Sequence, residues 1–150
     1  MMNETKDPVR EFLDSYWEMR KESARLERRI EELSAQTERV TAQLTGMPRG
    51  GGDGANLVWD ALIDTKDRAG KNLKAVLDRE AEIEEFILMM EGPLLRQLLR
   101  YKYLELLTYE QIAAEMNYSE RHVRRLHGRA LQEARRTWEV VREEARKEAM

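Results

Sequence analysis

The chain has 150 residues, 37% of them charged and 41% hydrophobic, with a formal net charge of -3. That balance favours elongated helices over one thick globular core, and the length bounds the chain to one small domain or two very small modules. With no cysteine there is no disulfide frame and no thiolate metal site. The chain also has no run of about 18 apolar residues and no signal-peptide pattern, so a cytoplasmic protein without a membrane contact is expected.

The first element is predicted at Asp7, which can cap a helix with Pro8 at its first position. Apolar or small residues then recur at alternating spacings of three and four: Val9, Phe12, Tyr16, Met19, Ser23, Leu26, Ile30, Leu33, Thr37, Val40 and Leu44. This is a heptad seam, with Ser23 and Thr37 as its weak points. A second series runs through Val58, Leu62, Thr65, Ala69, Leu73, Val76, Ile83, Ile87 and Met90, and Asn56 is the expected cap of that returning helix. Between the two lies G-M-P-R-G-G-G-D-G, Gly46 to Gly54, which cannot continue a helix. Residues 1–92 therefore read as a long antiparallel coiled-coil hairpin with a glycine-rich tip at 46–54. The tip lacks the Lys-Ser or Lys-Thr and the preceding strand of a phosphate-binding loop, so a plain hairpin turn is the better reading. Arg49 has no argued role there.

From Pro93 the sequence P-L-L-R-Q-L-L-R-Y-K-Y-L-E-L-L predicts an apolar supporting helix carrying Leu94, Leu95, Leu98, Leu99, Leu106 and Leu107. Thr108 and Gln111 then have capping-box spacing. Ile112 and Met116 face inward beside the small residue Ala113. Asn117 falls where the chain must turn with positive φ, which asparagine tolerates. Tyr118 is expected to plug that turn into the core, and Ser119 caps the next helix. There Val123 and Leu126 face inward, leaving Glu120, Arg121, His122, Arg124 and Arg125 facing outward or sideways. The order of cap, small residue, turn asparagine, second cap and inward pair predicts a helix-turn-helix. Its second helix fits the major groove of DNA, where arginine reads guanine. The helix continues to Met150, with Leu131, Ala134, Trp138, Val141 and Ala145 forming one stripe and Trp138 expected in the core against the hairpin. No alternating β-branched run predicts a strand, so the fold class is all-α.

Charge separates the two parts. Residues 1–92 carry 14 basic and 20 acidic side chains, whereas residues 93–150 carry 12 and 9. Six arginines against two glutamates fall between Ser119 and Arg136, the asymmetry expected of a DNA-binding end on an acidic protein.

The run from Leu98 to Arg136 resembles region 4 of the sigma-70 family, through R-Y-K-Y-L-E, T-Y-E-Q-I-A and S-E-R-H-V-R-R-L followed by A-L. The resemblance implies a helical domain that recognises an upstream promoter hexamer, with Glu120, Arg121, Arg124 and Arg125 at the base-reading positions. Leu106 stands where that family usually has glycine. A β-carbon at positive φ costs roughly 1 kcal/mol or more, so a differently built first turn is expected. The whole chain, with its M-P-R-G-G-G tip and Y-S-x-R-H-V-x-R-L-H-G-x-A-L ending, is similar to small phage and prophage late-gene activators of the RinA and ArpU kind.

These readings converge on a sequence-specific DNA-binding transcription regulator of phage or prophage origin. Arg121, Arg124 and Arg125, with Glu120 and His122, are the expected base readers. Arg129, Arg100 and Lys102 are the expected phosphate contacts, and Thr108 offers a backbone contact at a helix N-terminus. Expected partners are double-stranded DNA, RNA polymerase and, through the hairpin, further copies of the chain. No cofactor, metal or catalytic residue is expected: His122 and His127 are five apart, which does not suit a helical ligand pair. His122 is expected to touch DNA, and His127 to pack or be solvated. Two alternatives belong to other classes, a small terminase subunit for DNA packaging and a module that binds polymerase without specific DNA contact.

Overall fold

The computed structural model describes residues 7–44 and 52–150. All the described elements are helical, giving an all-α protein: α1 (Pro8–Leu44), α2 (Gly52–Leu88), α3 (Pro93–Leu99), α4 (Tyr109–Met116) and α5 (Glu120–Glu148). After α3 the chain continues through a wider π-helical turn at Arg100–Leu104. Among the described residues no helix is long and apolar enough to cross a membrane.

The expected glycine-rich tip lies largely outside the described residues, as does Arg49. Its last three positions are already helical, because α2 begins at Gly52. Asn56 is therefore inside α2 and does not cap it. Glycine costs about 1 kcal/mol in a helix interior, and the stronger helix formers that follow outweigh that cost.

The chain divides into two compact units, one of Met1–Glu18 with Asp78–Met150 and one of Met19–Leu77. Both long helices contribute to both units, so the division does not follow the break expected between residues 92 and 93.

In the unit of Met19–Leu77, parts of α1 and α2 pair antiparallel. Asn72 Nδ2 donates to the Met19 carbonyl at 3.4 Å, while Leu26 and Arg29 share a surface pocket with Ala61 and Thr65. Leu26, Leu33, Thr37, Leu62, Thr65 and Val76 are buried between the helices. The heptad seam is thus closed within the chain. Thr37 and Thr65 are tolerated because each hydroxyl donates to a carbonyl of its own helix, Ser34 and Ala61 respectively, both at 2.7 Å. Leu73, expected in the seam, is instead 52% exposed. Its neighbour Asn72 is the residue that reaches across to α1.

In the other unit, Asp7 caps α1 as expected, its Oδ1 accepting from the Val9 backbone N–H at 3.2 Å. Its Oδ2 meets Arg135 at 2.8 Å. Burial pushes the Asp7 carboxyl up, but the hydrogen bonds from Arg135 and Arg10 outweigh it and hold the group below its ordinary range. The core gathers Val9, Leu13, Ile83, Ile87, Leu98, Leu99, Ile112 and Val123. Leu13 lies off the predicted seam yet is fully buried, and Phe12 is half-buried. Phe12, Phe86 and Trp138 form an aromatic trio with ring centroids 5.4 to 5.8 Å apart. This settles Trp138 as an intramolecular packing residue. Beyond it the α5 stripe fades, Val141 being half-buried and Ala145 exposed.

Candidate nucleic-acid interface

Two turns set the geometry of the arginine-bearing helix. The first joins α3 to α4. It is built on a non-glycine residue at positive φ, Leu106 at 59°. The differently built turn expected from the β-carbon is therefore not found: Leu106 takes the left-handed conformation itself. The Glu105 N–H donates to the Arg100 carbonyl and the Leu107 N–H to the Tyr101 carbonyl, both at 2.9 Å. Leu106 is half-buried and lines a hollow with Trp17, Tyr103 and Leu107. Apolar burial of that kind offsets the roughly 1 kcal/mol of steric cost. The supporting helix consequently ends at Leu104, and Leu106 and Leu107 belong to the turn, not to the helix in which they were expected. Leu94 is also outside the core, at 38% exposure.

Thr108 then starts α4 through a complete capping box. Its Oγ1 accepts from the Gln111 N–H at 3.2 Å, and its own N–H donates to Gln111 Oε1 at 2.9 Å. Ile112 and Ala113 are buried, and Met116 is half-buried. The second turn holds Asn117 at φ 59°, ψ 40°, with its N–H donating to the Ala113 carbonyl. Ser119 caps α5, its Oγ accepting from the His122 N–H at 3.1 Å. Tyr118 does not plug the core: it is 38% exposed and meets the His122 ring edge-on at 4.7 Å. Ile112 and Val123 are the fully buried residues on either side of this turn.

Five of the sequence-predicted site residues are brought together on the first turns of α5. Glu120, Arg121, Arg124 and Arg125 are exposed and His122 is half-buried, with Arg129 exposed one turn further on. Arg124 is tied to Glu120 at 2.8 Å, an i,i+4 pair in which both side chains remain about half in solvent, 60% and 48% exposed. Such a pair orders the guanidinium at little energetic gain. Arg124 also lies over the Tyr109 ring at 4.5 Å, and Lys102 lies over the same ring at 4.3 Å. Tyr109 was missed by the sequence reading, yet it joins Lys102 from the π-helical turn to Arg124 on α5. Arg100 differs from the rest. Its Nε donates to Glu84 Oε1 of α2 at 2.6 Å, so its charge is already matched by a carboxylate. Thr108 is exposed, with its backbone N–H engaged by Gln111.

Beneath this surface, His127 is buried at 5% exposure between two tyrosine hydroxyls. Tyr103 Oη lies 2.7 Å from Nε2 and Tyr109 Oη lies 3.0 Å from Nδ1. A neutral imidazole can donate to one hydroxyl and accept from the other, so both ring nitrogens are satisfied. Burial, with the nearby charges of Lys102 and Arg10, pushes its pKa down to about 4. Burial likewise pushes the Tyr103 phenol up. Tyr109 thus serves two roles, bonding the buried histidine and carrying two surface cations on its ring face. Nothing in the local periodicity marks this network, because its members are 18 and 24 residues apart.

Comparison with known families agrees with this geometry. Residues 93–136 match the family model for sigma-70, region 4. No curated protein and no solved structure matched the chain. The matched residues make up under a third of the chain and contain both turns, both caps and the exposed arginines. Residues 93–136 are a sigma-70 region 4-like helix-turn-helix, a DNA-binding module of the kind found in transcription regulators.

Proposed function

We propose that the protein is a sequence-specific transcription regulator that inserts the N-terminal turns of α5 into the DNA major groove. The observation carrying this reading is the cluster of exposed Arg121, Arg124 and Arg125 on a helix whose start is fixed by two successive caps and a left-handed asparagine. Arginine presents a planar fork that matches the O6 and N7 acceptors of guanine. Glu120 and His122 flank the fork-bearing residues and complete the base-reading set. Arg129 and Lys102 contact phosphates, which position the helix without specifying sequence. Thr108 adds a contact at the start of α4 through its hydroxyl proton, its backbone N–H being taken by Gln111. Arg100 is left out of this set because Glu84 holds it.

The chain regulates transcription in a phage or prophage setting, by recruiting or modulating RNA polymerase. That part of the reading rests on the overall likeness of long paired helices plus a region 4-like end to RinA- and ArpU-type activators. Two experiments separate the parts. Titrating a selected DNA fragment with the full chain across a salt series should give a steep loss of affinity with salt, reduced by about one unit of slope in Lys102→Ala. A slope that is flat and unchanged by the substitution would sink the phosphate role. Transcription reconstituted with polymerase should change in level when the chain is added to a template bearing its site; an unchanged level would remove the polymerase part alone.

A further inference from the structure

We propose that Tyr109 is a positioning residue for base reading: its ring holds Arg124 at one set height on α5 and ties it to Lys102, so that the arginine reaches its base only where the lysine reaches a phosphate. This rests on the reading of α5 as the groove-reading helix. Of the three arginines in that reading, Arg124 is the one held from two sides. Its Nη2 donates to Glu120 Oε1 at 2.8 Å, and its guanidinium lies over the Tyr109 ring at 4.5 Å. Among the described residues no ion pair or ring contact holds Arg121 or Arg125. The three therefore differ in freedom although they share a helix and a charge.

The ring serves as a shelf because it is anchored at both ends. Tyr109 is the first residue of α4, directly after the Thr108 capping box, so its backbone is set at a helix start. At its other end the hydroxyl lies 3.0 Å from His127 Nδ1. The buried His127 ring meets that of Tyr109 edge to face at 5.5 Å and bonds the Tyr103 hydroxyl at 2.7 Å. Tyr103 belongs to the π-helical turn that also carries Lys102, and His127 lies about one helical turn beyond Arg124. The ring is thus fastened to both elements that supply its two cations.

A cation over an aromatic face is attracted by the ring's negative quadrupole without giving up an N–H donor. Arg124 therefore keeps donors for the O6 and N7 acceptors of guanine beyond the one given to Glu120. An arm ordered before binding avoids the rotamer entropy that a free arginine loses on docking. That saving corresponds to roughly three- to tenfold in affinity for the correct base. Lys102, 4.3 Å from the same ring centroid, gives the shelf its second use. With both cations referenced to one ring, a helix seated out of register satisfies the phosphate or the base but not both. The arrangement supplies discrimination more than gross affinity, because the charges of Lys102 and Arg124 act on any duplex with or without the ring.

The test measures a ratio: the affinity of the full chain for its selected duplex over that for the same duplex with one base pair changed. That pair is the one whose preference relaxes in Arg124→Ala. Tyr109→Leu is expected to lower the ratio roughly three- to tenfold, with affinity for unrelated duplex kept within about twofold. Tyr109→Phe, which keeps the ring, should retain most of the ratio. In an Arg124→Ala background, Tyr109→Leu should lower it no further. Circular dichroism and urea unfolding establish that each variant is folded. If Tyr109→Leu loses helicity, Tyr109→Gln is read by the same criterion, since it removes the ring and keeps a polar end toward His127. A folded ringless variant with an unchanged ratio, or one that weakens both duplexes equally, would overturn the proposal. So would an equal further loss in the Arg124→Ala background. Should Arg124→Ala relax no base pair, the base-reading role of α5 falls and the positioning role with it. A ratio that falls in Arg124→Ala but not in Tyr109→Leu removes the positioning role alone.

Discussion

The helix-turn-helix and the paired helices of the Met19–Leu77 unit dispose of their apolar residues differently. The helix-turn-helix unit buries Ile112, Val123, Leu126 and Ala130 almost completely and presents arginines to solvent. The unit of Met19–Leu77 accepts Thr37, Thr65 and Asn72 at its inner face while leaving Ile63, Leu73 and Leu77 outside. The burial around Ile112 and Val123 is local, since the same unit also leaves Trp17, Leu88, Met89 and Val140 exposed. The paired helices of Met19–Leu77 instead place small polar residues inside and leave large apolar side chains on the outside of α2.

The largest test of that contrast sets one chemical change in both places. Val123→Asp places a carboxylate where the side chain is fully buried. It should lower stability in urea unfolding by more than about 3 kcal/mol, or prevent folding. Leu73→Glu, in a sample dilute enough to exclude association, should stay within about 0.5 kcal/mol of the parent. A large loss from the second change would mean that Leu73 packs within the chain after all.

Next in size is a pH effect confined to the helix-turn-helix unit. His127 takes up a proton near pH 4 in the fold and near 6.5 in a model peptide. Between those values the unfolded chain binds more protons, so stability rises with pH there. The contribution is complete above about 6.5 and is lost as pH falls toward 4, on the order of 2–3 kcal/mol. Unfolding midpoints measured through this window should slope in the parent and flatten in His127→Gln, whose amide can still donate to one tyrosine and accept from the other. An identical slope in both proteins would assign the effect to other groups.

Smaller effects probe the backbone. Asn117 holds φ at 59°, so Asn117→Val should cost about 1 kcal/mol or more while Asn117→Gly stays near neutral. Equal losses from both would show that the asparagine side chain matters, not the left-handed backbone. Smallest is Gly70→Ala: a β-carbon there meets nothing within 4 Å, so the change should raise the thermal stability of the chain by roughly 0.5–1 kcal/mol. A loss there would show that something in the chain does lie against this glycine.

What the sequence made legible was local. Thr108, Ser119 and Asn117 are recognisable because a cap or a left-handed turn depends on residues within three or four positions. The capping box and both caps stand as expected. Leu106 kept its left-handed geometry because its side chain found an apolar hollow, which only the packed chain reveals. Tyr118 misled because an aromatic residue in a turn does not say which side of the turn it faces. Heptad spacing found Leu26, Leu33 and Leu62 but not Leu13, Phe86 or the exposure of Leu73. One helix with apolar residues on two faces gives two overlapping periodicities, and sequence alone does not rank them. Arg100 shows the same limit for the site. Its charge suggested a phosphate, whereas Glu84, 16 residues earlier, had already matched it. The Tyr103–His127–Tyr109 bonds are long-range and leave no periodic trace.

The central claim is that the first turns of α5 read DNA sequence. Selection from random duplexes by the full chain, followed by sequencing, tests it most directly when repeated with Arg124→Ala and Arg100→Ala. The account predicts one enriched motif, a loss of about 1–3 kcal/mol with relaxed preference at one base position for Arg124→Ala, and an unchanged motif for Arg100→Ala. No enrichment over the starting library, or a motif and affinity indifferent to Arg124→Ala, would contradict it.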